Sequence, residues 1–448
     1  MKLFGTINAI YEKNIKRRKM LEYRSFLEKS QWWSQEDLWR HQLVAVRRLL
    51  THAFEHVPYW QATFKGLGLT PLDINTLDDI RKLPIIDKND IRAHKERMIA
   101  DNWRGKTWTK STGGSTGTPL ELDYTPESYD WRVACSKRGY SWAHGCEDGK
   151  KHAYIWGVGI GKQPLLKQMK QRMHHALLRQ KYFNCFEFDE AKMNECLRSL
   201  NRFKPEYIVG YTNPLYEFAR FIQTTERLSF VPKAVISAAE KIHPFQRATI
   251  QSVFQCPAFN TYGSREFMLI ASECEKHEGL HLSMENLFVE IIKEDGAPAR
   301  PGETGDLVIT DLHNDGMPFI RYRIGDVATA SDHQCSCGRG LSVLADVVGR
   351  SLDIIRTPDG RQVPGEFFPH LMKEFKGVER FQVVQDKLDH LEVKIIKNGR
   401  FSDGEFRFMQ DEVSKIVGAG VKIDYVFVAE IPLTKTGKFR VTVSELNT

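Results

Sequence analysis

Between residues 150 and 265, short apolar runs alternate with helical patterns: YIWG at 154–157, YIVGY at 207–211, AVISA at 234–238 and FNTYG at 259–263. Such runs are predicted as strands, and strands alternating with helices imply a mostly parallel sheet. That confines the chain to an α/β fold layered around a mostly parallel sheet. Upstream, Leu43, Val46, Leu50, Ala53 and Val57 recur at three- and four-residue steps as far as Pro58, the pattern of a packing helix. After about residue 285 the texture turns to strand-like runs, LFVEIIK at 287–293 and DLVIT at 306–310, which suit a β-rich subdomain. From Gly349 onward DIIRT, RFQVVQ, HLEVKIIK and VKIDYVFVAE surround a helical stretch at 404–417, a small α+β domain in composition. The division is therefore a large N-terminal domain, 1–349, and a small C-terminal domain, 350–448.

The charge balance, 64 Lys+Arg against 57 Asp+Glu in 448 residues, gives a net charge of +7, too mild to single out a nucleic-acid partner. No run approaches the roughly 18 to 20 apolar residues of a spanning helix, and the N-terminal residues lack a secretory signal, so a cytoplasmic protein is expected. A homodimer is left open. Residues 161–183 carry six Lys/Arg and no acid, with Leu166, Met169, Met173 and Leu177 on one face of a helix. A solvated surface helix is the preferred reading, with an anionic lipid or phosphorylated partner as the alternative. GVGIG at 157–161 fails the spacing of a dinucleotide-binding loop.

Chemistry concentrates elsewhere. Ser111, Thr112, Gly113, Gly114, Ser115, Thr116 and Gly117, followed by Thr118 and Pro119, offer backbone N–H groups, free torsions and hydroxyl donors, as a loop around a polyphosphate requires. The lysine of a Walker-type loop is missing. The eight cysteines are too irregular for a disulfide framework and read as reduced thiols. Cys274, His281, Cys335 and Cys337 form a soft donor set suited to one structural, tetrahedral Zn²⁺. His277 is an alternative to His281, and partly buried reduced thiols are the alternative to a metal site.

Five motifs in order resemble the adenylate-forming ligases, and within them the phenylacetate–CoA ligases and the CapK-type proteins of capsular polysaccharide biosynthesis. They are the loop at 111–119, FNTYGSRE at 259–266, RYRIGD at 321–326, GRSLD at 349–353 and PLTKTGK at 432–438. The resemblance implies an ATP-dependent ligase that activates a carboxylic acid as acyl-AMP, releases pyrophosphate and transfers the acyl group to CoA. A CapK-type ligase with an amine or sugar acceptor is the alternative. It further implies that the loop, Asn260, Thr261, Tyr262, Gly263 and Ser264 bind ATP/AMP, that Glu266 helps hold Mg²⁺, and that Asp326 takes the ribose hydroxyls. Arg350 would take a phosphate or ribose oxygen, Asp353 the hinge of a mobile C-terminal domain, and Lys438 the catalytic role, with Lys435 its local competitor. Glu240 would border the adenine and the acyl group. Cys and His positions like the four above also occur in the phenylacetate–CoA ligases. Trp142, Tyr211 and Tyr262 are read either as an aromatic acyl pocket or as core.

Overall fold

The computed structural model describes residues 18–111, 120–157, 165–185, 190–225, 227–350, 355–359, 362–363, 367–372, 375, 377–432 and 441–446. They divide into two compact units. Among the described residues the first takes 18–111, 120–324 and 329–346, and the second takes Gly325–Ala328 and Val347 onward.

In the first unit, helices α1 (Met20–Ser30), α2 (Gln35–His56), α3 (Pro58–Leu67) and α4 (Lys88–Met98) precede the antiparallel pair β1 (Trp108–Ser111) and β2 (Glu121–Tyr124). Pro58 does not end the helical region. It opens a second helix as its first residue, where its missing N–H is no loss, so the chain only turns there. There follow α5 (Pro126–Ser141), β3 (His152–Trp156), α6 (Leu165–Leu177), β4 (Gln180–Asn184), α7 (Glu190–Phe203), β5 (Tyr207–Tyr211), α8 (Thr212–Thr224), β6 (Ala234–Ala238), α9 (Pro244–Phe254), β7 (Ala258–Ser264), β8 (Met268–Ser272) and β9 (Leu280–Leu282). The basic segment is therefore shorter as a helix than its charge pattern suggests. Arg179 adopts φ 56°, and the chain re-enters the sheet at Gln180.

The main sheet has eight strands in the order β13-β9-β8-β7-β6-β5-β3-β4, where β13 is Val343–Leu344. From β4 to β7 every pairing is parallel, and from β7 to β13 every pairing is antiparallel. Alternation along the strands sends Ile208 and Val235 to one face, among Leu197, Leu215, Phe218, Ile250 and Phe254 of the helices. Tyr207, Val209, Ala234 and Ile236 go to the other, against Ala143, Cys146 and Phe259. Both faces are covered, which is why these strands read as continuous apolar runs. A second sheet pairs β10 (Leu287–Ile292) antiparallel with β11 (Thr304–Asp311), and β12 (Tyr322–Thr329) lies next in order.

The short strand β14 (Asp346–Arg350) leads into the second unit, which holds the hairpin β15 (Ile355–Arg356)–β16 (Gln362–Val363), helix α10 (Phe367–Met372) and a four-stranded sheet. Its strands are β17 (Val378–Lys387), β18 (His390–Lys397), β19 (Lys422–Phe427) and β20 (Thr442–Ser444), in the order β19-β18-β17-β20. Helix α11 (Asp403–Val417) starts at a Ser402 cap that accepts the Glu405 N–H at 3.2 Å, and it buries Met409, Val413 and Val417 against Val383, Leu391, Val393 and Ile395. No helix among the described residues is long and apolar enough to cross a membrane.

Candidate active site

The carboxyl ends of β5, β6 and β7 come together at one edge of the parallel sheet, the place where α/β folds bind ligands. Hydroxyl groups lace them: the oxygens of Thr212 and Ser237 lie 2.5 Å apart, and Thr261 Oγ1 donates to the Ser237 carbonyl at 2.8 Å. Glu240 accepts the Asn213 N–H at 3.0 Å, so its carboxylate sits on the N-terminus of α8. The backbone of Ala239 just before it is left-handed, φ 69°.

The segment 259–266 is held from behind. Asn260 N–H donates to Glu273 at 2.7 Å, and the Glu273 carboxylate is gripped by both Arg247 guanidinium nitrogens, at 3.0 and 2.7 Å, and by His277 at 3.1 Å. These bonds keep Glu273 ionised against its burial, below the usual carboxylate range. Gly263 stands where β7 and β8 slip register, and a Cβ there would lie 2.2 Å from the Met268 carbonyl. Only glycine fits. Ser264 accepts the Phe267 N–H at 3.1 Å and closes the turn.

Glu266 follows, 6% exposed, and its carboxylate makes no hydrogen bond or ion pair among the described residues. Its backbone is fixed by residues far off in sequence. The Arg132 guanidinium donates to the Glu266 carbonyl and pairs with Asp311, and the Tyr124 hydroxyl reaches the carbonyls of Arg265 and Glu266 at 3.2 and 3.3 Å. Arg132 also stacks on the Tyr124 ring at 4.0 Å. Arg132, Asp311, Tyr124, Arg247 and Glu273 were not legible as site residues, since no local motif marks a residue whose part is set by partners elsewhere in the fold.

Ser111 closes β1 and Arg350 closes β14. Residues Thr112 to Gly117, Asp353, which the motif resemblance assigns to the hinge, and Lys435 and Lys438 lie outside the described residues. Asp326, on β12, is 7% exposed and belongs to the second unit. The first residue of its motif serves the packing instead. Arg321 is buried and pairs with Glu290 at 3.0 Å while donating to the Leu83 carbonyl at 2.6 Å.

The four predicted metal ligands converge. The ligand atoms of Cys274, His281, Cys335 and Cys337 all lie within 4.8 Å of one another. Cys274 follows β8, His281 lies in β9, and the Cys335–Cys337 loop leads to β13, which pairs His281 with Val343. His281 turns Nδ1 toward the Leu341 carbonyl, 3.4 Å away, and Nε2 toward the Cys337 sulfur, also 3.4 Å away. Burial lowers its pKa to about 4, so the ring is neutral and Nε2 keeps its lone pair. Backbone N–H groups of Lys276 and Arg339 point at the sulfurs of Cys274 and Cys337, at 3.4 and 3.5 Å. His277 is occupied with Glu273, so it does not join them. Trp142 packs its ring edge-on to His281 at 5.5 Å and donates to Gln31 at 2.9 Å, whereas Tyr211 packs on Trp156 at 4.6 Å. The first of these aromatic residues supports the cluster.

Residues 355–445 match a family model described as the CapK C-terminal domain. Protein CapK of Staphylococcus aureus is 26% identical over 376 residues, covering 83% of this chain and 81% of CapK. The phenylacetate-coenzyme A ligase of Aromatoleum evansii is 24% identical over 415 residues, covering 87% and 90%. Among solved structures, 2-hydroxyisobutyryl-CoA ligase in the postadenylation state, in complex with R3-HIB-AMP, superposes with a TM-score of 0.70 at 17% identity, covering 91% of this chain and 89% of that one. The chain is thus similar in sequence to CapK and the phenylacetate-CoA ligases, and its fold is that of 2-hydroxyisobutyryl-CoA ligase.

Proposed function

We propose that the protein is an ATP-dependent acid–CoA ligase. A carboxylate oxygen of the acid attacks the α-phosphorus of ATP, and the bond to the β-phosphate breaks to release pyrophosphate. The CoA sulfur then attacks the acyl carbon, and AMP leaves. The observation that carries this reading is similarity to phenylacetate-CoA ligases over most of the chain, joined to a set of parallel strand ends whose 259–266 segment is braced by buried charges.

The first step brings two anions together, so catalysis is mainly positioning and charge neutralisation. Lys438, a compact cation flanked by glycine, supplies charge to the carboxylate and α-phosphate in the transition state. The loop at 111–117 holds the outer phosphates, residues 260–264 and Glu240 border the nucleotide, and Asp326 accepts from the ribose hydroxyls, with Arg350 following it in the order of the motifs. The Glu266 carboxylate, buried and without a protein partner among the described residues, fits a cation and would hold Mg²⁺. When bound, that ion shields the charge of the phosphates.

The CapK C-terminal match supports a second acceptor, an amine or sugar hydroxyl of a polysaccharide precursor. ATP, Mg²⁺ and a panel of carboxylic acids should give acid-dependent pyrophosphate. AMP release that then depends on CoA supports the ligase reading, and dependence on an amino sugar supports the alternative. Lys438→Ala should lower adenylate formation by about a hundredfold or more while ATP still binds. Unchanged pyrophosphate release would remove Lys438 from the role and turn attention to Lys435.

The cysteine–histidine cluster would hold a structural zinc ion. Three sulfurs and one imidazole nitrogen complete a tetrahedron and leave no open position for substrate, so its contribution is to stability. A cytoplasmic location accords with cysteines that are free thiols and with ATP and CoA as substrates.

A further inference from the structure

Lys110 is the penultimate residue of β1 and stands directly before the Ser/Thr/Gly segment. Its cross-strand partner is Leu122, so the flanking acids of β2, Glu121 and Asp123, point to the opposite face of the ribbon. There they are already engaged. Lys95 lies 2.5 Å from Glu121 and 3.6 Å from Asp123, and Thr107 and Thr109 donate to Asp123 at 3.0 and 2.7 Å.

On its own face Lys110 meets aromatic rings and other cations. Its ammonium lies 4.4 Å above the Tyr129 ring and 5.4 Å from that of Tyr124. Arg18 covers Tyr129 at 4.9 Å, and Arg132 covers Tyr124 at 4.0 Å. Each of these arginines has its own acid, Asp130 for Arg18 at 3.7 Å and Asp311 for Arg132. The nearby Glu127 accepts the Tyr23 hydroxyl at 2.8 Å. Lys110 has no hydrogen bond or ion pair from its side chain among the described residues. Desolvation, with Arg132, Arg265 and Arg18 close by, brings its pKa down to about 8.

A lysine held over two rings, among cations and with the neighbouring carboxylates turned away or taken, is arranged for an anion that arrives from outside. The Tyr124 hydroxyl binds the carbonyls of Arg265 and Glu266, so Lys110 also adjoins the segment assigned to nucleotide binding. We propose that Lys110 binds oligophosphate, taking the outer phosphates of ATP and then the pyrophosphate leaving group. This rests on the ligase reading for its place in the reaction, but not for the binding itself.

The probe is inorganic pyrophosphate with Mg²⁺, titrated calorimetrically into the full chain, with AMP in a parallel titration. Lys110→Met should weaken pyrophosphate binding about tenfold or more, and Lys110→Arg should restore most of it. AMP, which lacks the outer phosphates, should bind all three proteins alike. Equal pyrophosphate affinity in the native chain and Lys110→Met, or no pyrophosphate binding by the native chain, overturns the proposal. Loss of pyrophosphate binding in Lys110→Met upholds the subsite even if no acid ever elicits adenylation, the result that would overturn the ligase reading instead.

Discussion

Arg132 is almost wholly buried, and its side chain meets three groups at once: the Asp311 carboxylate, the Glu266 carbonyl and the face of Tyr124. Two charges removed from water gain little over an apolar pair, but removal of one strands the other. Arg132→Met should therefore destabilise the first unit by about 3 to 5 kcal/mol, seen as a lower urea midpoint at unchanged slope. Arg132→Met combined with Asp311→Leu should recover part of that loss. In the double variant the Glu266 carbonyl keeps the Tyr124 hydroxyl but still lacks the Arg132 donor, so the KM for Mg-ATP should be raised although the fold has recovered. A midpoint unaffected by Arg132→Met would show that Asp311 is satisfied by other means, such as the His313 N–H at 3.2 Å.

At the scale of elements, the antiparallel half of the main sheet is short: β9 has three residues and β13 two. Such strands bury little apolar surface, so a tie between them has more to contribute than one between long strands. The cluster joins the ends of β8 and β9 to the loop before β13, and Arg339 beside it bonds Gln31 at 3.1 Å and Glu275 at 3.2 and 3.1 Å. Elemental analysis should find about one zinc per chain, and Cys335→Ser should lower both metal content and melting temperature, because metal binding is coupled to folding. Protein stripped by a chelator should show the same lowered melting temperature. An unchanged temperature after complete removal would leave the four side chains as buried thiols and a neutral imidazole.

For the whole molecule, the proposed ligase reaction asks one lysine to serve adenylation and an acceptor afterwards to reach the same acyl adenylate. Rotation of a small domain about a short hinge meets both demands. Asp353→Pro, which fixes φ at the assigned pivot, should slow the overall reaction while ATP binding is kept, as separate pyrophosphate and AMP assays would show. Parallel loss of both would point to misfolding. Strand runs such as Tyr207–Tyr211 and Ala234–Ala238, the amphipathic α11 and the order of the motifs were legible, because periodicity and motif spacing are local properties of the chain. The end of α6 at Leu177 was not, because a left-handed residue and a sheet edge overrode a helical charge pattern. Nor could the sequence exclude His277 as a substitute for His281, join Arg132 to Asp311 across 179 residues, or set Lys110 over two tyrosine rings among arginines. Those outcomes depend on which groups the packed layers exclude from water. A buried charge must find its partner wherever the fold brings one, and distance along the chain carries no record of it.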